Sequence, residues 1–211
     1  MQTNFYGLYL VTPDWDDTDR LLEATGAALA AGAALLQYRH KEALPALRRE
    51  QAGALLALCR RHDVPFIVND HIDLCVDIDA DGVHVGGLDA GVAAARDALG
   101  PDKIVGASCY GDVARASEAQ AAGASYVAFG GFYPSRVKKY AVTTQAEILA
   151  QARAAGVTVP TVVIGGMTPA NAAPLVAAGA DMVAAISSVY GLEPAGVSSA
   201  VQAFTALFSR R

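Results

Sequence analysis

Cysteine is scarce in this chain, which has only Cys59, Cys75 and Cys109. Their odd number, their apolar or loop contexts and the lack of any C-x-x-C pair exclude a disulfide framework and a thiolate metal site, and point to reduced thiols in a cytoplasm. Aromatic residues are few as well, at 7% with one tryptophan, and charged residues make up 18% against 53% hydrophobic. No window approaches the roughly 18 uninterrupted apolar residues of a membrane span. The start "MQTNFYGLYLVTPDWDDTD" has no basic segment followed by an apolar one, so neither export nor membrane insertion is expected. Positive charge is also short, since 16 Lys and Arg stand against 21 Asp and Glu for a formal net charge of -5. That balance gives no general attraction to a nucleic acid, and no aromatic residues interleave with the cations. Any anion must be held by a local cluster.

What is present is a repeat. Ala-Ala-Gly-Ala occurs at Ala30 to Ala33, Ala121 to Ala124 and Ala177 to Ala180, and an apolar run follows each copy at once: "LLQYRH", "SYVAFGG" and "DMVAAIS". Alanine ends a helix packed closely on a sheet, glycine supplies the left-handed residue after it, and a buried strand begins. Variants of this joint at "RRHDVPFIVND", "ALGPDKIVGAS" and "RAAGVTVPTVVIGG" divide the chain into eight strands alternating with helix-like segments. The strands are expected at Tyr6 to Val11, Leu35 to Arg39, Phe66 to Asn69, Gly82 to Val85, Ile104 to Ser108, Tyr126 to Phe129, Thr161 to Ile164 and Met182 to Ile186. Eight such units in 211 residues, with no linker or low-complexity segment, favour an α/β fold of one domain spanning 1–211, a closed (β/α)8 TIM barrel, over an open doubly wound sheet.

Chemistry in such a barrel sits at the carboxyl ends of the strands, and those ends carry polar residues that the strand bodies lack. The second strand ends in Gln37, Arg39 and Lys41, the third in Asn69 and Asp70, the fifth in Ser108, the seventh in Gly165 and Gly166, and the eighth in Ser187 and Ser188. Asp89 follows the fourth. After the sixth comes "AFGGFYPSRVKKYAVTT", where Arg136, Lys138 and Lys139 fall within four residues in an otherwise acidic chain. Each feature has a plain structural reading: Asp70 and Asp89 as caps, the cations as solvated charges, and His84 as a packed core histidine. Trp15, Tyr6 and Tyr9 read as packing at the first strand and its loop. Convergence of so many of these groups on one face favours a site. Carboxylates among cations suggest a phosphate bridged by Mg²⁺. Backbone N–H groups at "IGGMT" and "AISSV" suggest a second phosphate cradle.

The ordered motifs "YLVT", "LLQYRHK", "IVND", "ADGVHVG", "GAS", "GASYVAFGGFYPSRVKK", "IGGMTPAN" and "GADMVAAIS" resemble the thiamin phosphate synthase family over nearly the whole chain. The resemblance implies a transferase that condenses 4-amino-2-methyl-5-hydroxymethylpyrimidine diphosphate with a thiazole phosphate, releasing pyrophosphate through a carbocation-like state, with Mg²⁺ as cofactor and small molecules as partners. It implies that Arg39, Lys41, Asn69, Ser108 and Lys138 contact the diphosphate, with Lys138, Ser108, Arg39 and Lys41 in the catalytic set, and that Asp70 and Asp89 hold the metal. Gln37 would line the pyrimidine pocket, and Gly166, Ile186, Ser187 and Ser135 would hold the thiazole phosphate. The basic loop would then be a lid over the diphosphate. Two positions depart from the family pattern, Val137 where a threonine is usual and Gly87-Leu88 where Gln-Glu precedes the aspartate.

Two other functions compete. A thiazole tautomerase of the same barrel family would carry a histidine just after the fifth strand, where this chain has Cys109 and Tyr110. A barrel that only binds a phosphorylated metabolite would need the cradle but not carboxylates facing several cations. A homo-oligomer is compatible with the sequence.

Overall fold

The structure, a computed structural model, describes residues 5–86, 91–134 and 144–209. Eight parallel strands close into a barrel in sequence order, β1 (Gly7–Val11), β2 (Leu35–Tyr38), β3 (Phe66–Asn69), β4 (Gly82–Val85), β5 (Ile104–Tyr110), β6 (Tyr126–Gly130), β7 (Thr161–Ile164) and β8 (Met182–Ala185), with β8 pairing back to β1. Around them lie α1 (Thr18–Ala30), α2 (Pro45–Arg61), α3 (Ile72–Asp77), α4 (Val92–Leu99), α5 (Val113–Ala121), α6 (Ile148–Ala154), α7 (Pro169–Ala177), a four-residue α8 (Ser187–Tyr190) and α9 (Pro194–Thr205). The (β/α)8 barrel expected from the repeat is the fold found, and most strand boundaries agree within one residue. β5 is the exception. It runs on to Tyr110 through a register shift against β6 between Ser108 and Tyr110, and Tyr110 takes a φ of 53°. A bulge of this kind re-aims a side chain at the end of a strand.

The period of two along each strand sorts the buried residues into two layers. Leu8, Leu10, Leu36, Phe66, Val68, Val83, Val105, Val127, Phe129, Val163 and Val183 face outward and pack with the helices in one cluster. Their inward neighbours Tyr9, Val11, Leu35, Ile67, Ile104, Tyr126, Ala128, Val162, Met182 and Ala184 fill the barrel as a second cluster. Along the strands the inner positions turn polar toward the carboxyl ends: Leu35 gives way to Gln37, Ile67 to Asn69, Gly82 to His84, and Ile104 to Ser108. The glycine between Ile104 and Ser108 has a steric reason. A Cβ on Gly106 would fall inside the phenol ring of Tyr126.

At the opposite end of the barrel, helix side chains bond the carbonyls of the turns that lead from helix to strand, their own or the next one's. Arg60 donates to the Asp79 carbonyl, Arg96 to those of Gly100, Lys103 and Gly123, Gln120 to that of Gly156, and Arg153 to those of Ala178 and Gly179. Carbonyls left open at and just beyond the ends of five helices, α3 to α7, are satisfied in this way.

Candidate active site

The carboxyl ends of the strands enclose a cavity of about 410 Å³, counted to its open mouth and lined from all eight strands. Gln37 and Arg39 come from β2 and its end, Asn69 from β3, His84 from β4, Ser108 from β5 and Ile186 from the end of β8. Val11, Ala128, Val162, Ile164 and Ala184 make the apolar wall. Five of the residues expected to bind substrate, Gln37, Arg39, Asn69, Ser108 and Ile186, therefore share one cavity.

Arg39 is 6% exposed, and its guanidinium lies 3.2 Å from the Asp14 carboxylate. Asp14 also accepts from the Lys41 backbone N–H at 2.9 Å, and Thr12 exchanges hydrogen bonds with the backbone of Arg39. The loop after β1 thus fixes the strand end that carries both cations, while the Lys41 side chain is exposed at the mouth. Asp70 sits beside Asn69 in the left-handed region with a φ of 64°. Its backbone N–H donates to the His84 carbonyl, and its carboxylate accepts from Gly86 N–H at 3.2 Å and from Asn69 Nδ2 at 2.6 Å. The half-buried carboxylate is held between β3 and β4 by these bonds.

On the far side of the mouth, Gly165 and Gly166 follow β7 with positive φ, and a Cβ on Gly166 would meet the Pro134 carbonyl oxygen. Asn171 closes the turn by donating to the Gly166 carbonyl at 2.9 Å, and α7 starts on a Thr168–Asn171 capping box. Ser187 is exposed at the first turn of α8. This short helix is anchored at its other end by Tyr190, whose hydroxyl bonds Thr25 of α1 at 2.9 Å and whose ring packs edge-on against Trp15. Gly166 and Ser187 border the site rather than line the cavity. Asp89, Ser135, Val137, Lys138 and the proposed lid lie outside the described residues; the loop's two feet are joined, because Thr144 donates through its hydroxyl to the Gly130 carbonyl and through its N–H to that of Gly131.

A polar chain crosses the cavity floor. Gln37 Nε2 donates to the Tyr9 hydroxyl at 2.6 Å, the Tyr9 and Tyr126 hydroxyls are 2.6 Å apart, Tyr126 meets His84 Nδ1 at 3.0 Å, and His84 Nε2 meets Ser108 Oγ at 2.9 Å. Burial raises both phenols above their ordinary range. Tyr9 therefore does more than pack at its strand. His84 is packed and hydrogen-bonded, as the plain reading expected, and it also lines the cavity. Asp14, Thr12, Tyr9 and Tyr126 were not singled out from sequence as site residues. An inward tyrosine in an apolar strand carries no local mark of its hydrogen-bond partners, and Asp14 carries no mark of facing Arg39 across two strands.

Among the described residues, no three or more His, Cys, Asp or Glu side chains form a group suited to a metal. None of the described helices is long and apolar enough to cross a membrane.

Residues 8–189 match the family described as thiamine monophosphate synthase. Over 211 residues and the full length of both chains, the protein is 64% identical to a thiamine-phosphate synthase of Janthinobacterium sp. (strain Marseille). It is 48% identical to one from Methylobacillus flagellatus, over 96% of this chain and 95% of that one. A solved thiamine phosphate pyrophosphorylase from Pyrococcus furiosus superposes with a TM-score of 0.83 at 31% identity, covering 100% of this chain and 98% of the other.

Proposed function

The chain belongs to the thiamine monophosphate synthase family, and from that premise we propose how its site does the family's chemistry. The protein is a transferase of thiamin biosynthesis that makes thiamin phosphate from small phosphorylated molecules. In our reading the aminopyrimidine ring lies in the cavity between Gln37 and Ser108, both of which line it, so that Ser108, which the resemblance assigns to the diphosphate, also flanks the ring. Its diphosphate reaches Arg39, Lys41 and Asn69, with Lys138 closing from the basic loop. Gly166, Ile186 and Ser187 hold the thiazole phosphate, joined by Ser135. The bond between the pyrimidine methylene and the diphosphate oxygen breaks first, and its electron pair leaves with pyrophosphate. The thiazole nitrogen then donates its lone pair to the methylene and forms the new carbon–nitrogen bond.

The single observation that carries this reading is the cavity itself, with Gln37, Arg39, Asn69 and Ser108 converging on it from three strands. Arg39 supports charge leaving with pyrophosphate, and its pairing with Asp14 fixes it before substrate arrives, which favours the transition state over a solvated cation. The apolar wall keeps water from a methylene that water would capture.

Mg²⁺ fits the donors present. Asp70 offers a hard carboxylate at the mouth, each of whose oxygens keeps a lone pair beyond its one hydrogen bond. Mg²⁺ characteristically takes several of its ligands from water and phosphate, so one or two carboxylates suffice to hold it. Asp70, with Asp89, would hold it, and when bound it would neutralise charge on the departing pyrophosphate. We place this activity in one domain of residues 1–211 in the cytoplasm, supported by the three cysteines being unpaired and buried.

The test is pyrophosphate release with thiamin phosphate followed by mass spectrometry, run with Mg²⁺ and with chelator. Condensation that continues at full rate in chelator would remove the metal from the account. Lys138→Ala is expected to lose activity about 100-fold with the fold intact, as expected when a group supporting leaving-group charge is removed. Full activity in that variant would remove the lid.

A further inference from the structure

We propose that Tyr126, which lies beneath the cavity floor, is a positioning residue that fixes His84 in the Nε2–H tautomer and thereby aims the Ser108 hydroxyl as a donor into the cavity. The inference rests on the reading that Gln37 and Ser108 flank the pyrimidine.

The argument follows the protons along the chain. Gln37 Nε2 donates to Tyr9, so the Tyr9 oxygen is an acceptor there, and its own hydrogen is directed to the Tyr126 oxygen 2.6 Å away. Any other direction would leave a hydroxyl hydrogen with no acceptor in a fully buried place, and an unpaired buried donor costs more than a hydrogen bond contributes. Tyr126 in turn has His84 Nδ1 at 3.0 Å as the acceptor for its own hydrogen. A ring nitrogen that accepts carries no proton, so the proton of the neutral imidazole is on Nε2, which faces Ser108 Oγ at 2.9 Å. Ser108 accepts from His84 and keeps its hydrogen for a partner on the cavity side.

The chain therefore has one direction from Gln37 to Ser108, and both of its ends open on the cavity. Burial keeps the two phenols neutral, so neither link is lost by ionisation near neutral pH. Gly106 is part of the device, because only a residue without a side chain leaves room for the Tyr126 ring opposite it. A fixed hydroxyl donor at one end and a carboxamide at the other suit a ligand ring that bears an acceptor nitrogen and an amino group. A water-filled or apolar ring site would need neither.

The experiment reads the tautomer directly. In the native, ligand-free protein labelled with ¹⁵N-histidine, with the His84 signals assigned by His84→Gln, Nδ1 is expected at the shift of an unprotonated nitrogen and Nε2 at that of a protonated one. Tyr126→Phe keeps the ring and removes the link. It is expected to give a mixture of tautomers and to raise KM for the pyrimidine diphosphate about tenfold, the worth of one well-placed hydrogen bond, with KM for the thiazole phosphate changed less than about twofold. Tyr9→Phe, which cuts the chain one link earlier, is expected to do the same more weakly. A native His84 protonated on Nδ1 overturns the proposal without any variant, as does a Tyr126→Phe protein with native tautomer and native KM values. Wild-type protein that failed to condense the two substrates would instead overturn the reading of the site.

Discussion

Arg39 has the strongest claim on the site's electrostatics, and it does not stand alone. It is buried against Asp14, and the same carboxylate holds the Lys41 backbone, so one side chain fixes the Arg39 guanidinium and the stretch of chain from which Lys41 projects. Asp14→Ala is therefore expected to act mainly on substrate affinity, raising KM for the pyrimidine diphosphate about tenfold, equivalent to about 1.4 kcal/mol. Its stability cost should stay near 1 kcal/mol, because Asp14 is a third exposed and solvent screens the pair. Steady-state kinetics beside a melting curve separates the two effects, and a loss confined to stability would make the pair structural. The polar strand ends Gln37, Arg39, Asn69, Asp70 and Ser108 were legible in the sequence because each interrupts an apolar run. Asp14 and Tyr126 were not, since their roles come from partners 25 and 42 residues away, Arg39 and His84, which only barrel closure brings near.

At the scale of elements, the joint between helix and strand is the recurring unit. All seven such joints turn on a residue of positive φ: Gly32, Asp63, Asp79, Gly100, Gly123, Gly156 and Gly179. The Ala-Ala-Gly-Ala repeat revealed three of them and its variants three more, Asp63 among these, while Asp79 makes the same turn unmarked, since aspartate tolerates the left-handed region. The extent of two elements was not legible in the sequence. The bulge near Ser108 depends on how β5 pairs with β6, and α8 depends on Tyr190 docking against Thr25 and Trp15. The joints are also locked to one another, most fully by Arg96, which donates to the carbonyls of Gly100, Pro101, Lys103 and Gly123 and to Ser125 Oγ. Arg96→Ala is expected to cost about 2–3 kcal/mol in urea unfolding, from several part-buried carbonyls losing a charged donor. Arg96→Lys should recover little, because a point ammonium cannot span acceptors that a planar fork reaches. Catalysis at saturating substrate should be unchanged in both, since Arg96 lies at the end of the barrel opposite the site. A fall in kcat with native stability would contradict that division of the molecule into a stabilising end and a reactive end.

For the molecule as a whole, two nested cores with neutral polar groups inside them set how the fold responds to pH. The thiols of Cys59 and Cys109 are pushed up to about 12 and that of Cys75 to about 11, in each case first by burial, while Tyr9, Tyr38, Tyr126 and Tyr190 are raised by the same cause. A free thiol ionises near pH 8.5 and a free phenol near pH 10. Below about pH 8.5 neither the folded nor the unfolded chain releases these protons, so their contribution to stability is fully present. Above it the unfolded chain ionises while the folded chain holds its protons, and stability falls steadily until pH passes the folded values near 11 and 12. The melting temperature is accordingly expected to drop by several degrees between pH 8 and pH 10.5, a few kcal/mol being worth that much in a chain of this size. The same burial predicts that a thiol reagent at pH 8 labels the native protein no faster than the protein opens. A melting temperature that holds level to pH 10.5, together with three cysteines labelled at once in the native state, would mean that the inner and outer cores admit water far more freely than their packing indicates.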